Sequence, residues 1–349
     1  MGLGHKSDAV SAMFQRLTGD WGHEPIEKHP RWRSQVGDDG TPYEFSVAFG
    51  RKPELRFMVE PMGRQPSLAA NRAASFALLR SLARDYPLNL DRLATIEDLF
   101  LPEISDGAFA MWIAVSFTAG GGPEFKIYLT PEAHGVTRAP SIVHEAMDRL
   151  GYGRAWSTID GVLARRGPGL DELKYFSLDL SPASTARVKV YARHQRCTRD
   201  DLEATARLSP FYVPGEITDF LEILAPGQRL FAQRAPFTCY AFVDDPGGPA
   251  SATTHFPING YADNDKTVQQ RVVACFEQLK MPSDMYARSI AAYANRPLEA
   301  AIGMHAYVSV RRDATGARLT AYLPVEAYTP VPAIEHPSQI PQRLNEVNP

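Results

Sequence analysis

Five times along the chain, two β-rich runs lie close together, and the pairs recur about 65 residues apart. The first pair is YEFSVAF (43–49) with ELRFMVE (54–60). The second is FAMWIAVSF (109–117) with EFKIYLT (124–130), and the third YFSLDLS (175–181) with ARVKVYAR (186–193). The fourth is TCYAFVD (238–244) with TTHFPIN (253–259), and the fifth HAYVSVR (305–311) with ARLTAYL just after it. Short turn-rich gaps join the partners, as hairpins require. A period of this kind restricts the chain to a repeat architecture of ten antiparallel strands.

Helical stretches separate the pairs: 67–86, 141–150, 199–208, 265–279 and 283–295. In the fourth, Val268, Val272, Cys275, Phe276 and Leu279 form one apolar stripe at three- and four-residue spacing. With 44% apolar residues the chain has enough hydrophobic material for a large core. Ten strands can form an open sheet or a barrel, and closure is favoured because it leaves no edges. The expected fold is therefore α+β, a ten-stranded antiparallel barrel wrapped by helices. One domain spans residues 1–330, and a Pro-rich C-terminal tail spans 331–349.

The strands alternate at period two, and one face is unusual for a solvated sheet. ELRFMVE sets Arg56, Met58 and Glu60 against Leu55, Phe57 and Val59. EFKIYLT sets Lys126, Tyr128 and Thr130 against Phe125, Ile127 and Leu129. ARVKVYAR sets Arg187, Lys189, Tyr191 and Arg193 against Val188, Val190 and Ala192, and HAYVSVR sets His305, Tyr307, Ser309 and Arg311 against Ala306, Val308 and Val310. If the helices cover the apolar face, the polar face lines a lumen, and ten strands enclose enough room for a ligand. That lumen gathers Arg56, Lys126, Arg187 and Lys189, with Arg311 or Arg312 near its end. Its carboxylates are few: Glu44, Glu60 and Asp179. Clustered cations suit phosphate oxygens. Tyr128, Tyr191, Tyr307 and Tyr322 share the parity, and can donate hydroxyl hydrogen bonds or turn ring faces to a cation. Such a site suits a departing diphosphate and the carbocation it leaves. Glu44, among cations, is expected to be ionised and able to accept an N–H from an aromatic ring. Trp112 shares the parity and can stack on a planar substrate, although a buried Trp also serves simply as core.

Composition excludes other classes. Lys+Arg 37 against Asp+Glu 40 gives a net charge of −3, which removes the bulk electrostatic case for a nucleic-acid or anionic-membrane partner. No run reaches the ~18 apolar residues of a membrane helix. The N-terminus MGLGHKSDAV lacks signal-peptide and myristoylation patterns. Cys197, Cys239 and Cys275 are odd in number and far apart, which argues against a disulfide framework and fits a reducing cytoplasm. There is no DDxxD box; NDKTVQQRV (264–272) and HEAMD (144–148) lack the further ligands of metal motifs. GYGRAW (151–156) lacks the third glycine of a dinucleotide loop. Diphosphate binding would thus rest on side chains, with metal ligands none.

Taken in order, TPYEFS, LRFMVEP, FKIYLTPEA, YFSLDLSPASTARVKVYARH, FPINGYADND and HAYVSVRRDATGARLTAYLPVEAY resemble the dimethylallyltryptophan synthase branch of the aromatic prenyltransferases, bacterial type, from about residue 30 to 330. The resemblance implies a prenyltransferase barrel of five αββα repeats. It implies transfer of a dimethylallyl group from dimethylallyl diphosphate, the co-substrate, to the indole ring of tryptophan or a tryptophan derivative by Friedel-Crafts-type alkylation. No cofactor and no catalytic metal are implied. Glu44 matches the carboxylate that accepts the indole N–H, and Arg56, Lys126, Arg187, Lys189 and Arg312 match diphosphate-binding cations. Tyr128, Tyr191, Tyr261 and Tyr322 match cation-shielding tyrosines, while Trp112 and Lys174 fall on the acceptor side. A lysine that serves as base for C4 attack would fall near Met111 or Trp112 and is missing, so attack elsewhere on the ring is implied. The Gln/Tyr pair of the fourth hairpin appears as Thr253 and His255. Glu44 or His255 is then the candidate base. Small-molecule substrates, no nucleic acid, no membrane, a cytoplasmic location and a monomer or homodimer complete the expectation. The alternatives are a tyrosine, phenolic, peptide or cyclic-dipeptide acceptor, or a non-catalytic barrel that binds a small aromatic or anionic ligand.

Overall fold

The computed structural model describes residues 2–243 and 247–328. The segment expected to form a Pro-rich tail, 331–349, lies outside the described residues. The strands are β1 (Tyr43–Phe49), β2 (Glu54–Val59), β3 (Trp112–Phe117), β4 (Glu124–Leu129), β5 (Asp171–Asp179) and β6 (Val188–His194), then β7 (Cys197–Thr198), β8 (Leu230–Phe231), β9 (Phe237–Phe242), β10 (Ser251–Phe256), β11 (Val308–Asp313) and β12 (Gly316–Leu323). Strands β7 and β8 form a small separate ladder. The other ten close into a barrel in the order β1-β12-β11-β10-β9-β6-β5-β4-β3-β2, every pair antiparallel.

Helix pairs link the hairpins and cover the wall. Leu68–Asp85 and Asp91–Phe100 follow the first hairpin, and Ala139–Arg149 and Gly153–Leu163 the second. Arg199–Ala206 with Glu216–Leu224, and Asp265–Gln278 with Asp284–Tyr293, complete the set. Local sequence starts several of them: Ser67 accepts from Ala70 N, Asn264 from Thr267 N, and Thr198 and Asp201 form a capping box. Helices Asp91–Phe100, Gly153–Leu163 and Glu216–Leu224 fall outside the expected helical stretches. The second of these begins inside the GYGRAW stretch.

The alternation sorts the two faces as expected. Outward-facing Ile113, Ile127, Phe176, Leu178 and Val190 are fully buried beneath the helices of the first half. Val308, Val310, Leu319 and Phe256 are buried beneath those of the second, where Val268, Val272, Cys275 and Phe276 meet them. Each such side chain contributes about 1.5–3 kcal/mol of burial. On the inner face, long side chains stand beside short ones. Arg56 is paired with Ser46, Lys126 with Ala114, Lys189 with Ser177 and Ala241, and His255 with Ser309. The short neighbours leave the lumen hollow.

One expected lumen residue is displaced. β11 begins at Val308, not at His305. His305 is fully buried, with Nδ1 2.9 Å from Asp265 Oδ1 and Nε2 3.0 Å from Tyr286 Oη. This network, joined by Arg296 to Asp265 Oδ2 at 2.7 Å, ties the loop before β11 to two helices.

Candidate active site: a lumen whose two ends differ in charge

One cavity in the barrel is lined by Arg56, Lys126, Arg187, Lys189, Arg311 and Arg318 at one end, and by Tyr128, Tyr191, His255 and Tyr322 further in. Two carboxylates brace the cations. Asp179 accepts from Arg187 Nε at 2.6 Å and Lys189 Nζ at 3.1 Å. Glu54 lies 2.6 Å from both Arg56 and Arg318. Burial acts to raise the pKa of each carboxyl, but the surrounding cations outweigh it and hold both well below the carboxylate range. Lys126 makes no ion pair among the described residues; burial, then the charges of Lys189 and Arg56, push its pKa well below the usual value. A buried cluster of guanidinium and ammonium groups has the chemistry that suits an anion.

Beyond the cations lies a belt of rings. Trp112, Tyr128, Tyr191, His255, Tyr322, Tyr307, Phe237 and Tyr175 follow one another with neighbouring centroids 5.1–6.4 Å apart. Phe109 stacks on Trp112 at 4.0 Å. Burial, then Arg56, Lys189 and Arg311, depress the His255 pKa to about 3, so its imidazole is neutral at pH 7.

The far end carries mixed charge. Glu44 is buried and accepts no hydrogen bond among the described residues. Burial and the nearby Asp38 raise its pKa well above the usual range, and Arg234 only partly opposes them. The expectation that surrounding cations would favour the charged form of Glu44 is corrected by this arrangement: the cation cluster sits at the other end, and Arg234 is spent on Asp38 through contacts of 2.7 and 2.8 Å. Lys174 stands beside a bulge between Leu173 and Tyr175 and is paired with Glu132 at 2.6 and 2.7 Å. Arg193 pairs with Glu172.

The structure gathers Glu44, Arg56, Trp112, Lys126, Tyr128, Arg187, Lys189, Tyr191, His255 and Tyr322 around the hollow. It places two expected residues elsewhere. Arg312 faces outward and binds Glu216 at 2.5 Å, because the inward parity of β11 runs through Ser309 and Arg311. Tyr261 lies beyond the end of β10, donates to Arg234 O at 2.7 Å, and packs on Phe231 and Phe256 outside the wall. Arg318 also lines the hollow, outside the expected set, and shares parity with Thr320 and Tyr322. Asp38, Arg234 and Asn259 lie outside the barrel strands, where no period marks them.

Similarity to known proteins agrees with this geometry. The tryptophan dimethylallyltransferase family model matches residues 16–290. A 6-dimethylallyltryptophan synthase from Micromonospora olivasterospora, solved in complex with DMASPP and Trp, is 34% identical, with a TM-score of 0.87 over 93% of each chain. A 5-dimethylallyl tryptophan synthase from Streptomyces coelicolor, solved with the same two ligands, is 30% identical, with a TM-score of 0.85 over 95% of this chain and 92% of that one. Deoxybrevianamide E synthase of Aspergillus versicolor is 28% identical over 197 residues, 48% of this chain and 44% of its own, so the chain matches under half the length of that relative. None of the described helices is long and apolar enough to cross a membrane. By its barrel, its lumen and these matches, the chain belongs to the tryptophan dimethylallyltransferase family.

Proposed function

We propose that this protein transfers a dimethylallyl group from dimethylallyl diphosphate to the indole ring of tryptophan. The supporting observation is the order of chemistries along one lumen: clustered cations, a belt of aromatic rings, then the buried carboxyl of Glu44. The C–O bond to diphosphate breaks, and Arg56, Lys126, Arg187, Lys189 and Arg311 stabilise the negative charge that leaves, in a dry preorganised site. The ring faces of Tyr128, Tyr191 and Tyr322 stabilise the allyl cation and exclude water. Glu44 accepts the indole N–H and so orients the ring for attack. A ring carbon bonds to the cation, and the ring then loses its proton. His255 is neutral, beside Tyr191 and Tyr322, and serves as proton acceptor once bound diphosphate offsets the cations that depress it.

The mixed charges of Lys174–Glu132 and Arg234–Asp38 suit the zwitterionic end of a free amino acid better than a neutral phenol. In this reading no metal takes part, and turnover persists in EDTA. Incubation with L-tryptophan and dimethylallyl diphosphate is expected to yield a product heavier by one C5 unit, with NMR assigning the ring atom. Failure with tryptophan but turnover of tyrosine or a cyclic dipeptide would overturn the acceptor. No product with any acceptor would leave a ligand-binding barrel.

A further inference from the structure

Three carboxylates stand among the six cations of the basic end, and each holds at least one of them. Glu54 bridges Arg56 and Arg318. Asp179 bridges Arg187 and Lys189, and Asp313 holds Arg311 at 2.7 Å. With Lys126 protonated, six cationic side chains against three carboxylates among the described residues leave an excess of three formal positive charges. A diphosphate monoester carries about three negative charges above pH ~6, where its terminal phosphate has lost its last proton. The match is one of charge.

Arg318 belongs to this set by position. It is the cross-strand neighbour of Arg311, which is in turn the neighbour of Thr253. Thr253, Cys239 and Ala241 are short and leave space on that side of the cavity. The Nε atoms of Arg311 and Arg318 are buried and have no hydrogen-bond partner among the described residues. A buried guanidinium N–H without an acceptor is costly until a ligand supplies one.

The geometry points to a charge-matched cradle, a reading that rests on diphosphate as the ligand of this end: we propose that Arg318 is a further diphosphate-binding residue and that Glu54 and Asp179 are positioning residues that limit the affinity. The two carboxylates keep the arginine forks aimed into the hollow while it is empty. They also cancel charge that would otherwise hold the product diphosphate after the reaction. Binding equal for substrate and product slows turnover rather than speeding it.

The test is calorimetric titration of wild type, Glu54→Gln, Asp179→Asn and Arg318→Gln with inorganic diphosphate alone. Glu54→Gln and Asp179→Asn are expected to bind about tenfold tighter, the effect of one unit charge several ångströms away in a half-solvated site. Arg318→Gln is expected to bind about tenfold weaker. In turnover, Glu54→Gln should lower kcat and the donor KM together, as slow product release requires. Carboxylate variants that keep wild-type circular dichroism yet bind no tighter would overturn the limiting role. Unchanged affinity in Arg318→Gln would remove that residue from the site. If Glu54→Gln does not fold, Asp179→Asn decides the matter from another strand. Wild type that binds no inorganic diphosphate would instead sink the reading of this end as a diphosphate site, a separate outcome.

Discussion

Lys126 and Asp179 are direct partners across the β4–β5 ladder, yet they form no ion pair. Both oxygens of Asp179 are taken, one by Arg187 and the other by Lys189. Lys126 is left buried, among like charges, with its pKa well below normal. An anion beside it reverses that shift.

Diphosphate binding should therefore draw a proton onto Lys126. Between the lowered pKa of the free protein and the raised value of the complex, affinity falls as pH rises, because an ever larger share of free protein must first be protonated. Titrations with dimethylallyl diphosphate above pH ~7, where this monoester is itself fully ionised, in buffers of different ionisation enthalpy should show net proton uptake. Lys126→Met should abolish the uptake and lower turnover at least tenfold. Equal uptake in the variant would exclude Lys126 as its source.

Glu44 titrates in the opposite sense. Burial and Asp38 favour its protonated form, while a carboxylate is the stronger acceptor for an indole N–H. The kcat/KM for tryptophan should rise with pH along an acidic limb displaced above the usual glutamate range. Glu44→Gln should erase that limb and lower kcat/KM by about 10- to 100-fold, the worth of a charge-assisted hydrogen bond of ~1.5–3 kcal/mol. A variant with the wild-type pH profile would show that another group sets it.

The barrel was legible because two periods coincide in the chain, the two-residue alternation within strands and the recurrence of hairpins. Inward residues in mid-strand, such as Arg56, Lys126, Lys189 and Tyr191, follow from parity alone. Parity fails where a strand ends or slips. Arg312 is one residue out of phase with Arg311, and Tyr261 lies beyond the Pro257 turn that follows β10. Lys174 meets a bulge that shifts the β5–β6 register. The charge state of Glu44 depends on which end of the lumen holds the cations, and that follows from barrel closure, not from spacing. Asp38 and Arg234 come from segments 196 residues apart, and only the fold brings them together.

Outside the lumen, Asp265 holds His305, Arg296 and the backbone of Met304. Burial raises its pKa, but these hydrogen bonds prevail and hold it below 3.8. A lowered folded-state pKa gives stability that is complete above the unfolded value and lost as pH falls through the folded one. Asp265→Asn should cost about 3 kcal/mol at pH 7, as expected for breaking a buried charged network from one side, with a smaller loss near pH 3. Urea unfolding at the two pH values measures the difference. An equal loss at both would show that the carboxylate charge contributes nothing.

Tyr191 packs between Tyr128 and His255, with centroids 5.8 Å from each, and so occupies the middle of the belt that separates the cations from Glu44. A cation formed there meets ring faces on several sides. Removing one ring opens a space next to buried polar groups, and such a space admits water. Water and indole then compete for the same cation. Tyr191→Leu keeps most of the volume but removes the π-face, which is worth about 0.5–2 kcal/mol to a nearby cation. Total consumption of dimethylallyl diphosphate should fall by less than tenfold, while the share recovered as C5 alcohol rather than prenylated tryptophan rises several-fold. Both products can be measured in one chromatogram. If consumption falls and the alcohol share stays at the wild-type level, Tyr191 acts on binding, and the shielding of the cation belongs to other rings.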